Sequence, residues 1–158
     1  MLAAALFLGY GSPVLAQAAQ SAQRAPATPL EQNKAVVRRW IEEGFNRRNP
    51  AIVDELFVED VVIGGQPVGR ARLRQSMIQR LAAFPDLDVT ITDILAEGDH
   101  VVIWYIARGT HRGEFEGIAP TGRLVRWVGS DLLRIERLKI AEGRFLDDSL
   151  GLLRQLQK

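Results

Sequence analysis

The chain has 158 residues, enough for one domain with a substantial core. Lys and Arg total 20 against 19 for Asp and Glu, a formal net charge of +1, which argues against a nucleic-acid binder and its basic stripe. There is no cysteine and only His100 and His111 supply imidazole, so disulfides and thiolate metal sites are excluded, a zinc site lacks ligands, and no metal is expected.

Residues 1–18, MLAAALFLGYGSPVLAQA, form an apolar run ending in Ala16-Gln17-Ala18, a small-x-small pattern that reads as a cleaved export signal. The run is interrupted by Gly9, Gly11 and Pro13 and is too short to span a membrane, so no stable membrane insertion is expected. No Lys or Arg precedes it, a departure from the usual basic start. The expected location is periplasmic or secreted. Residues 19–27 are small and polar and read as a linker, and one domain is expected over 28–158.

Thr28-Pro29-Leu30-Glu31 combines a capping residue, a first-turn Pro and a capping-box Glu. Val36, Val37, Trp40, Ile41 and Phe45 then recur at helical spacing, predicting a helix to about Arg47. Asn49-Pro50 opens a short second helix to about Phe57, and an extended segment follows over 57–63. Leu73, Met77, Leu81 and Phe84 mark a third helix from about Arg70, whose arginines (70, 72, 74 and 80) read as a solvated face. Phe84-Pro85 ends it, because a residue before Pro disfavours the helical region.

The rest reads as strands. Val89, Ile91 and Leu95 lie in the first, and Glu97-Gly98-Asp99 forms a hairpin turn with His100 exposed beside it. Residues 101–108 are apolar enough to be covered on both faces. Further strands are predicted over Leu124 to Glu136 and from Lys139 to about Phe145, and a short helix carries Leu152, Leu153 and Leu156. Three helices followed by consecutive strands predict an α+β fold, with the helices on one face of a curved antiparallel sheet.

Several polar residues stand out. His111 ends the long strand beside a Gly-rich loop, where it either polarises a substrate oxygen or hydrogen-bonds backbone and orders the loop. Asp131 shares an apolar face with Trp127, Leu133 and Ile135; it is either an acid-base group or the structural partner of an arginine. Asp148 is either catalytic or the cap of the last helix, and Asp147 reads as solvated. Trp40, Trp104 and Trp127 suit either core packing or pocket lining. Arg108, Arg126 and Arg144 form either a charge row or an anchor for an acidic ligand.

Four internal motifs carry a resemblance: AFPDL at 83–87, EGD at 97–99, GTHRGEF at 109–115 and GIAPTGR at 117–123, followed by the ending DSLGLLRQL at 148–156. In their order and spacing the chain resembles the SnoaL-like polyketide cyclases and their ester-cyclase relatives, within the nuclear-transport-factor-like α+β cones. The resemblance spans roughly residues 33–157. It implies a cone with three helices on the concave side of its sheet, enclosing a mostly apolar pocket. It further implies aldol-type ring closure or isomerisation of a hydrophobic carbonyl-bearing small molecule, without metal or cofactor, and a homodimer through the outer sheet face. The polyketide-cyclase branch carries its acid-base Asp three residues before the position matched by Asp148; here that residue is Phe145. Where that branch has a pocket His on the preceding strand, this chain has Asp131. The catalytic candidates are therefore Asp131, His111 and Asp148, with Trp40, Trp104, Trp127 and Phe145 against the substrate. Phe145 also suits a non-catalytic exported binding protein with the same pocket. A lesser alternative is a hydrolase resembling the epoxide hydrolases of this fold, with an Asp-Arg-Asp set around water.

Overall fold

The computed structural model describes residues 27–157. The expected leader over 1–18 and nearly all of the linker lie outside the described residues. Helix α1 (Pro29–Arg39) starts where expected: the Thr28 hydroxyl accepts from the Glu31 amide at 3.3 Å and Pro occupies the first turn. It continues over Trp40–Asn46 in wider π turns, which bury Trp40, Ile41 and Gly44. Helix α2 (Ile52–Leu56) buries Ile52, Val53 and Leu56. After β1 (Phe57–Ile63) and β2 (Gln66–Pro67), helix α3 (Arg70–Ala83) stops before Phe84-Pro85. Four longer elements follow: β3 (Asp88–Glu97), β4 (His100–Thr110), β5 (Leu124–Glu136) and β6 (Lys139–Asp147), and then α4 (Ser149–Gln157) closes the chain.

The six strands form one curved, unclosed sheet in the order β2-β1-β6-β5-β4-β3. It is mixed and not wholly antiparallel: β1 runs parallel to β6, with Phe57 opposite Ile140 and Ile63 opposite Gly143. The chain between them makes a long crossover through α3 and four strands, the kind of return that parallel pairing needs. Bulges between Ile91 and Asp93 and at Arg134/Ile135 bend the sheet.

Side chains alternate across β4 and β5, so odd-numbered residues point to the helices and even-numbered ones outward. Val101, Ile103, Val125, Trp127, Leu133 and Ile135 join the helical residues Val37, Ile52, Val53 and Met77 in the core. The expectation that β4 is covered on both faces fails: Trp104 is 51 % exposed on the outer side. Among the described residues no helix is long and apolar enough to cross a membrane.

Candidate active site

The concave face is not fully filled. A hollow with about 670 Å³ of empty space, its open mouth included, lies between sheet and helices. The π turns of the first helix contribute Trp40, Ile41 and Phe45, and one face of α3 contributes Leu73, Ser76, Met77 and Arg80. The sheet contributes Tyr105, Trp127, Asp131, Phe145 and Asp147.

Asp147 is the hub. Its Oδ1 accepts from the Tyr105 hydroxyl at 2.8 Å and from the Trp127 indole Nε1 at 3.1 Å, while Oδ2 accepts from the Arg80 guanidinium at 2.8 Å. Three donors, one of them cationic, on two oxygens are the surroundings of an ionised carboxylate. Its side chain is 14 % exposed, so the expectation of a solvated Asp147 is corrected. Strand β6 runs two residues past its expected end at Phe145, and the alternation that points Phe145 inward carries Asp147 inward as well. Arg80 is corrected too: it follows Leu73 by seven residues and Met77 by three, which turns it toward the hollow and off the solvated face.

Asp131 sits two residues from Gly129 on the same face, opposite Phe145 on β6 and Ile103 on β4. It is 4 % exposed, and its Oδ1 is buried with no hydrogen-bond partner among the described residues. Burial pushes its carboxyl up from 3.8 to about 7, with the negative Asp147 adding to the rise and Arg80 and Tyr105 opposing it. The same surroundings push the Tyr105 phenol above its ordinary range, burial first and the charges of Asp131 and Asp147 next. The pocket therefore holds two unlike acids: one tied down as an anion, the other lacking partners and poised between its two states near neutrality.

Trp40, Trp127 and Phe145 line this hollow, whereas the other three candidates lie elsewhere. Trp104 points out from the far face, because an even position on β4 cannot reach the concave side. Asp148 is exposed and caps α4, its Oδ1 accepting from the Gly151 amide at 2.9 Å. His111 is wholly buried but does not line the hollow; Phe84 packs on its ring at 5.5 Å and on Trp127 at 5.3 Å. Its Nδ1 accepts from the Thr121 amide at 3.3 Å and lies 3.1 Å from the Thr121 hydroxyl, so it fastens the two ends of the Gly-rich loop. Gly113 lets that loop lie on the end of α3: a Cβ there would stand 3.0 Å from the Cα of Ala83. Among the described residues no group of three or more His, Asp or Glu is placed to hold a metal.

Tyr105 and Arg80 escaped the sequence reading. Tyr105 carried a findable signal, being an odd position on β4 like Ile103 and Ala107; Arg80 carried its helical spacing from Leu73 and Met77.

An α+β cone with a helix-covered hollow and a charged cluster in its wall is the class that fold and site define. The chain belongs to the SnoaL-like polyketide cyclase family, whose model matches residues 35–156. Solved structures share the fold. A candidate SnoaL-like polyketide cyclase from Jannaschia Sp. CCS1 superposes with a TM-score of 0.75 at 23 % identity, over 84 % of this chain and 97 % of that one. AclR from Streptomyces galilaeus, described as a candidate hydroxylase, gives 0.74 at 29 % identity, over 81 % and 82 %. Wild-type IdmH from Streptomyces antibioticus, described as a candidate polyketide cyclase, gives 0.71 at 29 % identity, over 80 % and 99 %. No curated protein matches the sequence.

Proposed function

We propose that the hollow is the active site of a cofactor-free acid-base enzyme acting on a hydrophobic, carbonyl-containing small molecule, by aldol-type cyclisation or isomerisation. The observation that carries this is Asp131: a buried carboxyl in the pocket wall, titrating near neutrality, with one oxygen unpartnered. Such a group takes a proton from carbon beside a carbonyl and returns it, because both of its forms are populated at working pH. The aromatic walls from Trp40, Phe45, Trp127 and Phe145 suit a flat apolar substrate. Arg80, Tyr105 and Trp127 hold Asp147 so that it raises Asp131 by repulsion without competing for its proton.

The test is deuterium uptake from heavy water into a panel of hydrophobic ketones and 1,3-dicarbonyls, followed by mass spectrometry. Uptake with the native protein and its loss in Asp131→Asn support the reading; equal uptake in both removes Asp131 from the chemistry. Ligand-dependent stabilisation with no uptake by either protein would favour the exported binding protein instead.

One observation favours a second reading, epoxide opening: Asp131, Arg80 and Asp147 line one pocket. There, Asp131 would protonate the epoxide oxygen while a carboxylate activates water. Both oxygens of Asp147 are already engaged by donors, which leaves it a poor base and ranks this reading second. Diol formation from epoxides would reverse the ranking.

We also propose export, on the strength of the leader, and a homodimer through the outer face. That face sets Trp104, Ser130 and Leu146 side by side, with Leu146 69 % exposed. Mature N-terminal sequencing tests the first. Light scattering of Trp104→Glu tests the second, a monomer being expected.

A further inference from the structure

Tyr105, Gly129 and Asp147 stand directly opposite one another on β4, β5 and β6, forming one row across the concave face. The middle member has no side chain. Tyr105 and Asp147 are therefore two strands apart, about 9–10 Å at the backbone, yet the phenol oxygen is 2.8 Å from Asp147 Oδ1. The phenol spans that distance by lying across β5 at Gly129. A Cβ placed on Gly129 would overlap the phenol oxygen and Cζ and would stand 2.7 Å from Cε2. No backbone demand explains this glycine: its φ is not in the left-handed region, and it lies inside a regular strand where a glycine weakens the sheet. The row is flanked on the same strand by Trp127, which also binds Asp147, and by Asp131.

We propose that Gly129 is a positioning residue: its missing side chain is the channel through which Tyr105 crosses β5 to hold Asp147, and this bridge separates the duties of the two pocket acids. The second half rests on Asp131 being the proton-exchanging group; the first does not. Asp147 is fixed from three sides, by Tyr105 on β4, Trp127 on β5 and Arg80 on α3. The charged and titratable groups acting on Asp131 are these same neighbours: Asp147 from β6, Arg80 from α3 and Tyr105 from β4. Ala at 129 displaces the phenol, so Asp147 loses one of the three donors that hold its charge, and its repulsion of Asp131 grows. The consequence passes through Tyr105 and not through the strand itself.

The experiment needs no substrate. Full-length native protein, Gly129→Ala, Tyr105→Phe, Tyr105→Ala and the Gly129→Ala/Tyr105→Ala double variant are labelled at the aspartate carboxyl carbon. The Asp131 titration is then followed by NMR. Tyr105→Phe and Gly129→Ala are each expected to move the Asp131 midpoint up, by at most about one pH unit, because the lost hydrogen bond is made to Asp147 and acts on Asp131 through its charge. In the Tyr105→Ala background, Gly129→Ala is expected to move it no further, since the clashing ring is gone. If Gly129→Ala does not fold, recovery of folding in the double variant supports the channel, and continued misfolding overturns it. An unchanged midpoint in Tyr105→Phe, or an equal shift from Gly129→Ala in both backgrounds, also overturns it. Deuterium uptake by the same variants separates the two claims: absent uptake in the native protein defeats the enzymatic reading alone, while an unmoved Asp131 defeats the positioning role alone.

Discussion

Asp131 and His111 are both buried polar residues, each with one buried atom that has no hydrogen-bond partner among the described residues, Oδ1 and Nε2, yet they sit in different kinds of surroundings. His111 lies at the base of the Gly-rich loop, where Thr121 engages one ring nitrogen and Phe84 covers the ring. Asp131 lies in the wall of an open hollow, with a second carboxylate acting on it. The difference teaches that burial of a polar group does not mark a site. What marks one is burial next to unfilled space, with neighbours that perturb the group and leave it free to react.

The largest effect should separate the two residues by chemistry. Asp131→Asn should lower deuterium uptake by about 10²–10⁴-fold, the usual contribution of a positioned acid or base, as followed by mass spectrometry. His111→Ala should instead cost about 2–4 kcal/mol of stability, from a cavity and lost loop bonds, read as a denaturant midpoint, while the Asp131 titration stays in place.

A third measurement sharpens the contrast through pH. The Asp131 carboxyl titrates at about 7 in the fold and near 3.8 when unfolded. An acid raised on folding binds protons more tightly in the native state. Its contribution to stability is therefore greatest below pH 4, falls as pH rises from 4 to 7, and stays at its low value above 7. Asp131→Asn should remove that slope. Above pH 7 it should be the more stable protein by roughly 2 kcal/mol, less than the full linkage energy because an amide is buried in place of the acid. Thermal melts from pH 4 to 8 check the sign. The smallest effect belongs to Asp148→Ala, which should cost about 1 kcal/mol through the lost α4 cap and leave deuterium uptake unchanged.

Most of the fold was legible because its signals are local. Thr28-Pro29 starts α1 and Phe84-Pro85 stops α3 where cap and proline chemistry require. The parallel placement of β1 beside β6 was not legible, since nothing within either segment states which distant strand it meets. For the site, alternation along β5 put Trp127 and Asp131 on one inward face. Asp147 was missed because ending β6 at Phe145 put it in a loop; two more residues of strand turn the same alternation into a correct inward assignment. Arg80 was missed because counting arginines along α3 hid its phase relative to Leu73 and Met77. Trp104 was drawn toward the pocket by residue type, and strand parity places it outside; of the two roles open to Asp148, the structure shows the helix cap.

The parallel contact between β1 and β6 has a consequence for how the protein comes into being. Phe57 must wait for Ile140, more than half the chain away, and β6 also delivers Asp147. Closing so long a loop is entropically costly and slows folding. A nascent chain emerging from the ribosome therefore has no finished cavity until β6 is released, and a polypeptide cut short before residue 139 would lack both the sheet's central seam and the anion that conditions Asp131.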